Sequence, residues 1–324
     1  MKPVSVAIPT AGEPDFLHCA LESVARQRAL HRVEEVLIAE NLGDVRSEAV
    51  CRQFPHLPIR YVRHQPQIKA VHNYEYVIRE SRAPIIAYLC DDDWWGPGHL
   101  ETALDALESH PSAVAHCSAS YFVTSDALAR GWVSRSAALW LAAGKPKFTS
   151  SWELSAADVL ATTWLLTPFH FSAMVLRRDP AVRAIAAVRD IHPYQADRLF
   201  FALLVAGGGI VYEPLPDSYV RWRVNSATSR TVSDQREVEF RTCTQAIWQL
   251  SRERAVDLAA MWRVYLQDVD ADVLYDVGTA FRRAMDDRTL ASLGFGEFIL
   301  PSRYARAVRR VVRAGTSALS WGRR

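Results

Sequence analysis

Short apolar runs alternate with longer amphipathic stretches over the first 90 residues. Val4–Ile8 (VSVAI) predicts a short buried strand ended by Pro9. Phe16, Leu17, Ala20, Leu21 and Val24 recur at helical spacing and predict a helix over Asp15–Gln27. Glu35–Ala39 predicts a second strand, with turn residues Asn41, Gly43 and Asp44 after it. Ile59–Val62 predicts a third strand. Lys69–Arg82 predicts a helix stopped before Pro84, and Ile85–Cys90 a fourth strand that runs straight into Asp91-Asp92-Asp93. Strands this short, alternating with helices, imply β-α-β units and a mainly parallel sheet, the α/β class.

The pattern continues with a helix over His99–Glu108 and strands over Val114–Val123 and Phe171–Leu176. An apolar helix over Ala196–Ala206 is stopped by Gly207-Gly208-Gly209, and Ile210–Tyr212 returns as a strand. From Ser233 the pattern turns helical, over Val238–Arg254, Val256–Gln267 and Asp272–Met285. A soft boundary near residue 230 therefore separates an α/β part, 1–230, from a helical appendage, 231–324. No fixed-period repeat or low-complexity linker is visible. Val159–Leu176 is 18 residues with no formal charge, His170 aside. Thr162, Thr163, Thr167, Pro168 and Ser172 interrupt it, so a buried helix, a turn and a strand are expected there rather than a membrane span.

Composition narrows the class. Apolar residues make up 49% and charged residues 23% of 324, an ordinary globular balance with enough chain for a large core. The formal net charge of +2 does not fit a general nucleic-acid binder, and no nucleic-acid partner is expected. The five cysteines are widely spaced with no C-x-x-C pair, which argues against a disulfide framework or zinc ribbon and for a reducing cytosol. MKPVSVAIPT resembles neither a signal peptide nor a span.

Three aspartates in a row after an apolar strand repel one another unless something positive sits there. Ligands of open α/β sheets bind beyond the carboxyl ends of strands. Hard oxygen donors at that place suit Mg²⁺ or Mn²⁺, commonly with substrate phosphates. A solvated acidic loop is the plainer alternative.

Taken together, IPTAGEPDFLHCALESVARQ, EVLIAEN and HNYEYVIRESRAPIIAYLCDDDWWGPGHLE make the chain resemble a family 2 glycosyltransferase of the GT-A fold, over roughly residues 1–225. The resemblance implies that Pro9 and Thr10 line the base pocket and that Glu40 takes the place of an Asp that contacts the base. Asp92 would face the ribose, and Asp93 would bind the metal that bridges the diphosphate. Ala11 stands where an aromatic often stacks on the base. Cys90 fills the first acidic position of the fuller motif.

QADRLFFALLVAGGGIVYEP resembles the same family's Glu-Asp, helix, Gly turn and strand, with Ala196 in place of Glu. The resemblance makes Asp197 the general base, which an inverting transferase needs to take the acceptor proton. A charge at a helix N-terminus is the alternative for Asp197, and Asp190 is its nearest rival. RWRVNSATS resembles an Arg-x-His loop near the diphosphate, with Asn225 in the His place. Arg221 and Arg223 suit phosphate oxygens there, or are ordinary surface cations. Lys69 and Asn73 either reach the nucleotide or lie on a solvated helix face.

Trp94 and Trp95 follow the aspartates, where an aromatic face can stack on a pyranose, or both pack in the core. Trp132, Trp140, Trp152 and Trp164 fall in the segment that shapes the acceptor site in such folds; each taken singly reads as core. The last 22 residues carry seven arginines and no acid. At about 100° per residue Tyr304, Val308, Val311, Val312, Gly315 and Leu319 share one face, opposite Arg306, Arg309, Arg310 and Arg313. Such a helix lies on an anionic membrane surface or docks on its own domain.

The expected protein is thus an inverting, Mn²⁺- or Mg²⁺-dependent glycosyltransferase. Its donor is a nucleoside-diphosphate sugar, UDP-linked first. Its acceptor is a glycan, a lipid-linked or a small molecule, and its place the cytoplasm or the inner membrane face. A sugar-phosphate nucleotidyltransferase would want a Gly-rich basic loop where TAGEPD stands. A degenerate binding protein is the remaining alternative. A dinucleotide enzyme is disfavoured because no G-x-G-x-x-G follows the first strand.

Overall fold

The computed structural model describes residues 2–41, 45–124, 127–132, 151–167, 169–189, 193–221, 233–266, 279–293 and 295. Among the described residues ten strands form one mixed sheet: β1 (Val4–Thr10), β2 (Val33–Glu40), β3 (Ile59–Arg63), β4 (Ile85–Tyr88), β5 (Trp94–Trp95), β6 (Ala115–Thr124), β7 (Ala127–Trp132), β8 (Trp152–Leu154), β9 (Met174–Arg177) and β10 (Ile210–Arg221). The order is β3-β2-β1-β4-β9-β6-β10-β5, with β7 on β6 and β8 on β10. β1 runs parallel to β2 and β4, β2 to β3, and β6 to β10; β9 is antiparallel between β4 and β6. The described helices are α1 (Pro14–Ala25), α2 (Val45–Cys51), α3 (Ala70–Glu80), α4 (His99–Ser109), α5 (Ala156–Thr163), α6 (Arg178–Ala186), α7 (Pro193–Leu204), α8 (Ser233–Glu253), α9 (Leu258–Tyr265) and α10 (Asp287–Ser292).

Strand alternation sorts the core into two layers. Val4, Val6 and Ile8 of β1, with Val36 and Ile38 of β2, pack under Leu17 and Leu21 of α1 and Leu100 and Leu104 of α4. Ala7, Leu37, Ala39 and Ile86 face the other way, into a larger cluster that holds Leu160, Phe200 and Phe201. That cluster also includes Phe240, Ile247, Trp262 and Phe281, so the helices after residue 233 share their core with the sheet.

Several elements differ from the sequence expectation for physical reasons. β1 runs on through Pro9 to Thr10. β4 ends at Tyr88, opposite Ala7, so Pro9 sits where β1 has a strand neighbour on one side only and its missing N–H is tolerated. β10 extends far beyond Tyr212, because a register shift between Glu213 and Ser218 absorbs Pro214 and Pro216 before pairing with β6 resumes. Val159–Leu176 resolves into α5, a turn, a single 3₁₀ turn and β9, and no described helix is long and apolar enough to cross a membrane. Residues 279–284 are helical and Met285 is a bend; residues 272–278 of the expected Asp272–Met285 helix lie outside the described residues. So do Gly43, Asp44, Trp140, Asp190, Arg223, Asn225 and the 303–324 segment. All five cysteines are free.

Candidate active site

Because β1, β2 and β4 run parallel, their carboxyl ends meet on one edge of the sheet. Thr10 closes β1, Glu40 closes β2, and the acidic run follows β4. The Thr10 hydroxyl donates to Asp91 Oδ2 at 2.7 Å, and the Ala11 N–H donates to the same oxygen at 3.1 Å. Asp91 therefore ties the acidic loop to the end of β1.

Asp93 is 1% exposed. Its Oδ1 accepts the Arg221 backbone N–H at 2.8 Å, and its Oδ2 accepts the Ser172 hydroxyl. Ser172 Oγ also accepts the Cys90 N–H at 3.0 Å, so one hydroxyl pins both ends of the loop. His170 Nδ1 stands 3.6 Å from Asp93 Oδ2. Burial pushes the Asp93 carboxyl well above the usual range and the Asp92 charge adds to this, against the hydrogen bonds from Ser172 and Arg221.

Ligand atoms of Cys90, Asp92 and Asp93 lie within 4.8 Å of one another. Burial, then the Asp93 and Asp92 charges, hold the Cys90 thiol above its ordinary pKa, and soft sulfur matches a hard divalent cation poorly. The two carboxylates remain as hard donors. A cation beside them relieves the repulsion that raises Asp93, and the donor set fits Mg²⁺ or Mn²⁺.

Arg221 belongs to the same loop. Its Nε donates to the Asp92 carbonyl at 3.0 Å, and its guanidinium lies 4.5 Å from the Phe16 ring centre and 4.9 Å from that of Trp94. Trp94 stacks on Tyr219 at 5.4 Å, and Tyr219 stacks on Tyr121 at 5.3 Å. Trp95 is 3% exposed, gives its indole N–H to the Ser172 carbonyl and stacks on His99.

On the β2 side, Glu40 is fully buried and Pro9 lies within buried β1. The Asn73 side chain, 3% exposed, donates to the Ala39 carbonyl at 2.9 Å and meets His64 Nε2 at 3.1 Å. Asn41 accepts the Ile68 N–H and donates to the Ile68 carbonyl. These bonds fasten residues 64–68 to the end of β2.

Asp197 sits in α7, beyond its first turn, so a simple helix-terminus charge does not describe it. Burial pushes its carboxyl up to about 7, against the pull of the Arg198 N–H at 2.7 Å and the Arg198 charge. The buried Arg198 side chain donates to the Phe240 carbonyl at 2.8 Å and to Thr244 Oγ1 at 2.7 Å, locking α7 to α8. Tyr74 of α3 connects the two groups of carboxylates. Burial raises its hydroxyl, and the charges of Asp91, Asp92 and Asp197 all raise it further. The charges of the acidic loop and of Asp197 thus both act on one phenol.

Sequence reasoning missed Ser172, His170, Tyr74 and the part played by Asp91. Ser172 is separated from Asp93 by 79 residues and reads as an interruption of an apolar run. Only Asp91 carried a local signal, as the first member of the acidic run.

Residues 5–180 match the family described as Glycosyl transferase family 2. Among solved structures, S. aureus TarS 1-349 in complex with UDP-GlcNAc is similar, with a TM-score of 0.58 at 14% identity over 94% of this chain and 87% of that one. Mannosyltransferase PcManGT from Pyrobaculum calidifontis, in complex with GDP-Man and Mn²⁺, gives a TM-score of 0.53 at 14% identity over 99% of this chain and 81% of that one. No curated protein sequence matches the chain. The structural likenesses are of fold, a GT-A α/β sheet flanked by helices. The sequence match covers more than half of the residues, and by it the chain belongs to glycosyl transferase family 2 and is a glycosyltransferase.

Proposed function

We propose that the protein is an inverting, metal-dependent transferase that moves a sugar from a nucleoside-diphosphate sugar, UDP-linked first, to an acceptor hydroxyl in building a glycan. One observation carries the reading: half-buried Asp92, beside buried Asp93, and Asp197 with its raised carboxyl both act electrostatically on the Tyr74 phenol. Asp197 removes the proton from the acceptor hydroxyl, whose oxygen bonds to the anomeric carbon. The bond from that carbon to the diphosphate breaks, and the nucleoside diphosphate leaves with the electron pair. Single displacement inverts the anomeric centre. A pKa of about 7 keeps enough Asp197 ionised at neutral pH while leaving it basic enough to accept the proton.

Asp93, with Asp92 beside it, would hold Mn²⁺ or Mg²⁺, which would supply charge neutralisation for the leaving diphosphate. Pro9, Thr10, Glu40 and Asn73 position the nucleotide, Arg221 and Arg223 answer the phosphates, and Trp94 borders the sugar, while buried Trp95, stacked on His99, packs behind it. Residues 1–230 form the catalytic unit and 231–324 the appendage. The structural relatives in complex with UDP-GlcNAc and with GDP-Man and Mn²⁺ support a donor of this class. We place the enzyme in the cytoplasm, held at the inner membrane face by residues 303–324. A thermal-shift screen of UDP, GDP and their sugars with each metal tests the donor: a metal-dependent rise in melting temperature is expected, and none with any nucleotide contradicts the reading.

A further inference from the structure

Tyr74 lies in α3 next to Asn73, whose side chain fastens the helix to the Ala39 carbonyl of β2. Its ring meets Tyr88, the last residue of β4, edge to face at 6.3 Å between centres, and Phe171 at 6.3 Å. Tyr88 leads into the acidic run, and Phe171 precedes Ser172, whose hydroxyl bonds Asp93. Phe171 also meets Phe200 at 5.1 Å, and Phe200 lies in α7 with Asp197. Three rings thus fix Tyr74 and its neighbours between the root of the acidic loop and the helix of Asp197.

The phenol is held in place, but its hydroxyl is not used by the protein. Tyr74 is half-buried, and its hydroxyl has no hydrogen-bond partner among the described residues. That oxygen is not among the sealed polar atoms of the core, so it keeps access to a ligand. The aromatic neighbours hold the ring by its faces and edges, which leaves the O–H as a preset donor.

The surroundings say what it would donate to. Burial and nearby negative charge keep the phenol un-ionised, and Asp91 and Asp92 act on it more strongly than Asp197 does. It belongs electrostatically to the acidic end of the site more than to the base. An un-ionised phenol is an O–H donor, and its strongest partners are oxygens that already carry negative charge. In the transferase reading, on which this inference rests, the oxygens brought to the acidic loop are those of the diphosphate. A fixed donor aimed there gains strength as charge builds on the leaving group.

We propose that the Tyr74 hydroxyl donates a hydrogen bond to the β-phosphate of the nucleoside diphosphate and so contacts the leaving group directly.

The test is calorimetric binding of UDP and UMP, and of GDP and GMP, to the full chain with Mn²⁺. Tyr74→Phe keeps the ring contacts and removes the O–H, and its melting temperature reports whether it folds; Tyr74→Met, which also lacks the O–H, replaces it if it does not. Loss of a hydrogen bond to a charged oxygen is expected to weaken diphosphate binding by about tenfold. Monophosphate binding is expected to stay within about twofold of wild type, since no β-phosphate is present. In donor hydrolysis kcat is expected to fall by more than KM rises, because the bond strengthens in the transition state. Unchanged diphosphate affinity in a folded variant overturns the contact. So does an equal loss for mono- and diphosphate, which marks a merely structural role. Wild type that binds no nucleoside diphosphate contradicts the transferase reading itself, and the inference falls with it.

Discussion

The backbone N–H of Arg221 donates to Asp93 Oδ1 at 2.8 Å across a sequence separation of 128 residues. The last residue of β10 thereby holds the innermost carboxylate of the acidic loop, and the Ser172 hydroxyl holds the other oxygen of the same group. Asp93 is thus fixed from two directions, and hydrogen bonds of this kind orient a carboxylate and tune its affinity for a cation.

Asp93→Ala is expected to abolish transfer and the metal dependence of nucleotide binding while leaving the fold intact. Ser172→Ala removes a bond that orients Asp93 and is expected to lower Mn²⁺ affinity by about 10- to 100-fold. Mn²⁺ titration of UDP binding by calorimetry checks both. Full activity in excess chelator contradicts them.

Acid stability follows from two buried imidazoles. Burial holds His99 and His116 down at about 3, and their ring nitrogens have no hydrogen-bond partner among the described residues. The unfolded chain titrates near 6.5 and binds more protons below that pH, so stability is whole above about 6.5 and is lost as pH falls toward about 3. The loss is about 1.4 kcal/mol per pH unit for each ring within that window. Denaturant midpoints measured between neutral and mildly acidic pH should fall along that slope, and His116→Val should flatten it. An unchanged slope in a folded His116→Val protein contradicts the assignment.

Arg198 bears on chemistry as well as on packing. Its N–H and its positive charge both lower the Asp197 pKa, against burial. Arg198→Met keeps much of the volume and removes the charge, so the acidic limb of the pH–rate profile should move to higher pH. A purely structural role would lower stability and leave the limb in place.

The fold was legible wherever alternation was undisturbed. Val4, Val6 and Ile8 against Val36 and Ile38 gave β1 and β2 directly, since period-2 burial is local. The sequence pattern stops β10 at Tyr212 because Pro214 and Pro216 break it, while the fold absorbs them in one register shift. The two-residue β5 is too short to carry a period and exists only because β10 lies beside it. The aspartates were readable as a dense local run. Ser172 and Tyr74 were not, because their roles arise from strand order and helix packing, which no local window contains.

Membrane contact is expected of residues 303–324. Removing residues after Pro301 should reduce sedimentation with anionic liposomes and leave donor hydrolysis largely unchanged. Equal sedimentation of both forms dismisses the contact.

The central claim is that Asp197 takes the acceptor proton, and Asp197→Asn tests it most directly because it keeps the shape and removes the base. Donor binding with Mn²⁺ should survive, since those contacts come from the acidic loop. Turnover should fall by about 10²–10⁴-fold. The wild-type acidic limb near pH 7 should vanish in the variant. Near-normal turnover, or loss of donor binding in parallel with activity, would contradict the assignment. A product that retains the donor's anomeric configuration would contradict single displacement itself.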